Sequence, residues 1–89
     1  MQYLRYHLLT SEQVRAARML LRWEQKDLAE RSGVSLPTIK RLETRPGELQ
    51  AHQPTIAAIR QALESAGVEF IPENGGGPGV RLRKGADVA

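Results

Sequence analysis

The chain has 89 residues, with 13 Lys or Arg and 10 Asp or Glu, so it has the size of one domain and a formal charge of only +3. It contains no cysteine, which excludes disulfides and cysteine-ligated zinc. His7 and His52 have no second metal ligand at a suitable spacing, so we expect neither a metal nor a cofactor.

Residues 1–10 precede any helix signal. Their apolar stretch MQYLRYHLL contains Arg5 and His7 and has no small-residue cleavage site, so it does not have the form of a signal peptide. No part of the chain approaches the roughly 18 uncharged residues of a membrane span. We therefore expect residues 1–10 to be an N-terminal extension of a cytoplasmic protein that does not contact a membrane.

Residues 11–22 have the pattern of a first helix. Thr10 is a suitable N-cap, and Gln13 follows it at the spacing of a capping box. Apolar residues then recur at helical spacing: Val14, Ala17 and Leu21.

A second helix is predicted very close to the first. It starts at Gln25 and has Leu28 and Ala29 on its apolar face. It should end at Gly33, because glycine is suited to the left-handed conformation that follows many helices.

The third helix is expected over residues 35–43. Ser35 can cap it, and Pro37 is tolerated in its first turn because the missing N–H would be unpaired there. Ile39 and Leu42 supply its buried stripe. The second and third helices together form an αα unit with a glycine-containing turn.

Residues 44–53, TRPGELQAHQ, are polar and rich in turn formers, so we expect a loop there. Pro54 can open a fourth helix that ends before Gly67. The apolar positions of this helix are Ile56, Ile59 and Leu63.

The C-terminal part changes to β-compatible sequence. VEFI at 68–71 and VRLR at 80–83 flank the turn-rich segment PENGGGPG, which predicts a hairpin. A two-stranded hairpin alone is marginal in water, so it should pack on the helices or pair with a second copy. Residues 85–89 are expected to be a disordered tail.

The two close helices carry the pattern of a known family, at Gln25, Leu28, Ala29, Gly33, Val34, Ile39, Leu42 and Glu43. In this spacing they resemble the helix-turn-helix of the xenobiotic-response-element (XRE) family, related to the phage lambda and 434 Cro and repressor proteins. The resemblance implies a mainly α, lambda-repressor-like domain of four helices at residues 11–67. A C-terminal β-hairpin at 68–84 follows, which could form an intersubunit sheet.

The resemblance also implies that the third helix enters the major groove of double-stranded DNA and that the second crosses the backbone. Carried over to this chain, the DNA base-reading positions are Ser35, Leu36, Pro37, Lys40 and Arg41. The DNA phosphate-binding positions are Gln25, Lys26, Thr38, Arg45 and Thr55.

Leu36 and Pro37 depart from the family pattern, in which polar side chains often read bases by hydrogen bonds. They can contact a thymine methyl group, which leaves hydrogen-bonded readout to Arg41, a side chain able to donate to guanine O6 and N7. The competing interpretation of Lys40 and Arg41 is a solvated helix face. For Leu36 it is a core or partner contact.

The sequence gives no support to an enzyme. GGGPG at 75–79 is followed by strand-like residues instead of Lys-Ser/Thr and a helix, so it is not a phosphate loop. Three acidic residues are expected on helix surfaces without a pocket: Glu30, Glu43 and Glu64.

The resemblance thus implies a bacterial or phage-type, nucleoid-associated transcriptional regulator that binds a two-fold operator as a homodimer. The residues assigned to dimerisation are Val68, Phe70, Ile71, Val80 and Leu82. In this hairpin Arg81 and Arg83 should point outward. The alternative is an antitoxin-like or adaptor protein whose main partner is another protein, bound through the hairpin or Leu36.

Overall fold

The computed structural model describes residues 8–86 of the chain. In that range the helices and strands are α1 (Ser11–Leu21), α2 (Gln25–Ser32), α3 (Leu36–Thr44), α4 (Gln53–Ser65), β1 (Val68–Ile71) and β2 (Gly79–Leu82). The strands form an antiparallel hairpin. The predicted fold, mainly α with a C-terminal hairpin, is confirmed. Residues 1–7 of the expected N-terminal extension lie outside the described residues.

Hydrogen bonds at the start of α1 confirm the capping box. The Thr10 hydroxyl accepts the Gln13 N–H at 3.0 Å, and the Gln13 side-chain oxygen accepts the Thr10 N–H at 3.0 Å. The helix ends at Leu21, earlier than predicted, because Arg22 has a φ of 59°. A residue in this left-handed region cannot continue a right-handed helix.

The turn between α2 and α3 follows its local sequence signals. Gly33 has a φ of 77° and donates its N–H to Ala29 O, so it ends α2 as predicted. The Ser35 hydroxyl then accepts the Thr38 N–H at 3.3 Å and caps α3. Because contacts within a few residues fix both the end of α2 and the start of α3, the relative placement of the two helices is largely encoded within this turn.

Aliphatic side chains from every described helix form the core. Its buried members are Leu9, Val14, Ala17, Leu21, Leu28, Ile39, Leu42, Leu49, Ile59, Ala62, Leu63 and Val68. The helical patterns predicted eight of these twelve residues; Ala62 was not among the predicted apolar positions, and Leu9, Leu49 and Val68 lie outside the helices.

Leu9 and Leu49 reach the core because their backbones pair. The Leu49 N–H donates to Leu9 O at 2.9 Å, and the Ser11 N–H donates to Gly47 O at 2.8 Å. These bonds flank an antiparallel bridge between Thr10 and Glu48. Residues 9 and 10, which we expected in the N-terminal extension, therefore belong to the packed domain.

The hairpin packs on the helices through one face. Two cross-strand pairs lie on that face: Val68 with Leu82, and Phe70 with Val80. The opposite face carries Glu69 and Arg81, whose Oε1 and Nε atoms are 2.7 Å apart. The Gln13 side chain secures the far end of the hairpin by donating to Gly79 O at 3.0 Å.

Two expectations for the C-terminal part need correction. Val68, assigned to dimerisation, is only 1% exposed because it belongs to the core of its own chain, so a second copy cannot reach it. Gly85 and Ala86, expected in a disordered tail, lie in a turn in which the Ala86 N–H donates to Arg83 O at 2.9 Å. The remaining tail residues, 87–89, lie outside the described range.

Candidate nucleic-acid interface

The outer side of α3 carries most of the predicted base-reading side chains. Successive residues of an α-helix are about 100° apart, which separates an outer from an inner side. The outer side presents Pro37, Lys40 and Arg41, and the inner side buries Ile39, Leu42 and Glu43. Leu36 is half-buried at the border of the inner side, and Ser35 precedes the helix as its N-cap, so three of the five predicted residues share one accessible side.

Leu36 and Pro37 form a small apolar surface at the first turn of α3. Pro37 is exposed and Leu36 is half-buried. Leu36 is not one of the partly buried side chains that pack against the core. Part of the Leu36 side chain is thus covered by its own chain, and the rest is accessible to a ligand.

Basic side chains continue this surface towards the C-terminal end of α3. Lys40, Arg41 and Arg45 are exposed, and none of them forms an ion pair with another described residue. Such cations can neutralise phosphate without first breaking a salt bridge.

The Ser35 hydroxyl is hydrogen-bonded within its own chain. Its hydroxyl accepts the Thr38 N–H and also donates to the Thr38 hydroxyl oxygen at 2.9 Å. The observed role of Ser35 is therefore to fix the start of α3, which orients the side chains that follow it.

A groove lies between α3 and the loop that precedes α4. Its volume is about 570 Å³, and it is lined by Thr38, Arg41, Gln50, Ala51, His52 and Thr55. No acidic side chain lines it. Gln50 and His52 were not predicted, because the only sequence signal for them is their position just before a helix that Pro54 opens.

The start of α2 differs from the expected phosphate contact. The Gln25 side-chain nitrogen donates to Glu43 Oε1 at 3.0 Å, so one of its amide hydrogens is already used. The Asp27 carboxylate accepts the Glu24 N–H at 2.7 Å. Lys26 Nζ lies 3.8 Å from Glu24 Oε1. This turn therefore presents carboxylates together with the predicted phosphate-binding residues Gln25 and Lys26.

Glu43, on the inner side of α3, connects three helices. Its carboxylate accepts two hydrogen bonds from the Arg18 guanidinium, each of 2.7 Å, as well as the bond from Gln25. Arg18 also donates to Trp23 O at 3.0 Å. Our expectation that Glu43 lies on a helix surface was wrong, since the residue is 6% exposed. A glutamate beside buried aliphatic residues can be internal only with such a partner, and the sequence does not show which arginine supplies it.

The described residues contain no group of three His, Cys, Asp or Glu side chains able to hold a metal ion. No helix among them is long and apolar enough to cross a membrane. Of the other acids considered as paired catalytic groups, Glu30 is exposed and Glu64 pairs with Arg60 at 3.1 Å.

A short helix pair joined by a glycine turn, with an exposed basic second helix, defines the class of helix-turn-helix DNA-binding domains. The family model for the XRE or Cro/C1 type of helix-turn-helix matches residues 14–66. The chain belongs to this family, and it is a DNA-binding transcriptional regulator. No curated protein matches the chain.

Proposed function

We propose that the protein binds a two-fold operator as a homodimer and recognises its sequence through the outer side of α3. The observation that supports this proposal best is the composition of that side. It combines the exposed Pro37, beside the half-buried Leu36, with Lys40 and Arg41, which form no ion pair with another described residue.

Base recognition is divided between apolar and charged side chains. Leu36 and Pro37 contact thymine methyl groups near the first turn of α3. Arg41 donates to O6 and N7 of a guanine, and Lys40 reaches a base or a phosphate. Ser35 holds the start of the helix in place. Because it is exposed beside Leu36, it also lies at the surface that faces the bases.

The DNA backbone is held on both flanks of α3. Thr38 and Thr55 line the groove beside Arg41, and Arg45 extends the basic surface at the end of the helix. On the other flank Lys26 contacts a phosphate, and Gln25 does so with the amide hydrogen that Glu43 leaves free.

The hairpin is the proposed dimer contact. Phe70, Ile71, Val80 and Leu82 are half-buried within one chain, and the outer edges of a two-stranded sheet have unpaired backbone groups. A sheet shared by two chains would place the two recognition helices about 34 Å apart, one turn of DNA.

The alternative function is an antitoxin-like or adaptor role in which the hairpin or Leu36 binds another protein. One observation favours it: a groove of about 760 Å³ runs along the hairpin. Its lining includes apolar side chains at Phe70, Ile71 and Pro72. In this case the hairpin would bind a foreign chain, and DNA binding would be secondary.

Selection of genomic fragments by the purified full chain tests the proposal. We expect an inverted-repeat motif with half-sites centred one or more DNA turns apart. Recovery of a motif without two-fold symmetry would contradict the homodimer. Recovery of no motif, with weak and strongly salt-sensitive binding only, would contradict sequence-specific recognition and favour the alternative.

A further inference from the structure

The first turn of α2 has an unusual charge arrangement for a surface that faces DNA. Glu24 immediately precedes the helix, and its side chain is 74% exposed. Its carboxylate oxygen lies 3.8 Å from Lys26 Nζ. The Asp27 carboxylate stands in the same turn and accepts the Glu24 N–H at 2.7 Å. Lys26 therefore lies close to the Glu24 carboxylate, and a second carboxylate, that of Asp27, belongs to the same turn.

This arrangement opposes the binding of an anion. The positive end of a helix and a nearby lysine ordinarily attract phosphate. Here Asp27 satisfies a backbone N–H of the turn, and Glu24 partly neutralises Lys26. A backbone phosphate that approached Lys26 would meet the negative charge of Glu24 and would have to displace it.

We propose that Glu24 is a negative determinant of DNA affinity, whose carboxylate competes with a DNA phosphate for Lys26. The proposal rests on the proposed function, in which the start of α2 faces the DNA backbone. A backbone contact carries no sequence information, so Glu24 lowers affinity for all duplexes alike. Stable occupancy then depends more strongly on the base contacts of α3.

The substitution Glu24→Gln removes the charge and keeps the side-chain size. A matched control is Glu30→Gln, which changes the net charge equally on the exposed part of the same helix. Binding of a labelled duplex of random sequence is measured for both variants and the wild type over a series of salt concentrations. Thermal unfolding is recorded beside it to verify that each variant is folded.

Glu24→Gln should bind the random duplex about two- to fivefold more tightly than the wild type, which is the range expected for one charge at a helix N-terminus. Its affinity should also fall more steeply with salt, by up to about 0.9 in the log–log slope if one more phosphate is neutralised. Glu30→Gln should show a smaller gain. In a Lys26→Ala background the gain from Glu24→Gln should shrink, because the cation for which the carboxylate competes is absent.

Equal gains for Glu24→Gln and Glu30→Gln would overturn the inference, since the effect would then arise from overall charge. Unchanged or weaker binding by Glu24→Gln would overturn it as well. In these cases the wild type still binds DNA and the proposed function stands. If neither the wild type nor any variant binds duplex DNA at low salt, the proposed function and the inference both fail.

Discussion

At the residue scale, the Arg18 and Glu43 pair is a largely buried ion pair that joins α1 to α3. The two side chains are 14% and 4% exposed, and two hydrogen bonds of 2.7 Å join them. A buried ion pair adds little compared with apolar residues of equal size, but removal of one partner leaves an uncompensated charge in the core. The pair therefore constrains which single substitutions the domain tolerates.

Arg18→Met should lower the free energy of unfolding by about 3–5 kcal/mol, because Glu43 then loses its charged partner. Urea denaturation followed by circular dichroism measures this difference. The double variant Arg18→Met with Glu43→Leu should lose less than the sum of the two single variants. A loss below about 1 kcal/mol for Arg18→Met would mean that the pair behaves as a solvated surface contact.

At the element scale, signals within a few residues of each other predicted the helices. They could not predict burial and ion pairing that depend on residues distant in the sequence. The caps at Thr10 and Ser35 and the end of α2 at Gly33 depend on neighbours within one turn, so the sequence was sufficient for them. Leu9 is buried where a distant loop pairs with its backbone. The placement of Glu43 similarly depends on an arginine on another helix.

A second contact between α1 and the distant loop gives a pH dependence. The Gly47 N–H donates to Glu12 Oε1 at 3.1 Å. Two hydrogen bonds lower the pKa of the Glu12 carboxyl below its ordinary value of 4.5. The larger effect comes from the backbone N–H of Glu12 itself, and the second comes from the backbone N–H of Gly47. A carboxyl with a lowered pKa in the folded state stabilises the fold above its unfolded-state pKa, and this contribution is lost as pH falls through the folded-state pKa.

Glu12→Gln should therefore be less stable than the wild type at neutral pH, by a small amount because the group is exposed. The difference should disappear as the pH falls from about 5 to below the lowered pKa. Denaturation midpoints of both proteins across this range measure it. A difference that stays constant with pH would show that the carboxylate charge does not hold the loop.

At the scale of the whole molecule, the hairpin packs on the helices of its own chain, which limits the surface that it can offer to a second copy. Val68 lies in the core, and Phe70, Val80 and Leu82 pack against it. Sequence alternation placed Arg81 on the outer face of the hairpin, where it pairs with Glu69, but it could not show how much of the apolar face the helices of the same chain already cover. Removal of the whole hairpin would expose the core, so a point substitution is the better test of dimerisation.

Ile71→Asp should weaken the proposed dimer while leaving the core intact, because Ile71 is half-buried and is not a core residue. Sedimentation should show a dimer for the wild type and a monomer for this variant, with weaker operator binding. Asn74→Asp is a suitable control, since it adds the same charge in the exposed hairpin loop. A folded Ile71→Asp variant that remains dimeric would place the dimer contact elsewhere.

We propose that the outer side of α3 reads DNA sequence, and the DNA binding of Arg41→Ala tests this role most directly. The variant is compared with the wild type on the selected operator and on a scrambled duplex. Arg15→Ala, on the exposed side of α1, removes the same charge elsewhere. Loss of a bidentate guanine contact should cost about 1–3 kcal/mol on the operator, with a much smaller change on scrambled DNA. Equal losses on both duplexes, or losses matched by Arg15→Ala, would contradict the claim.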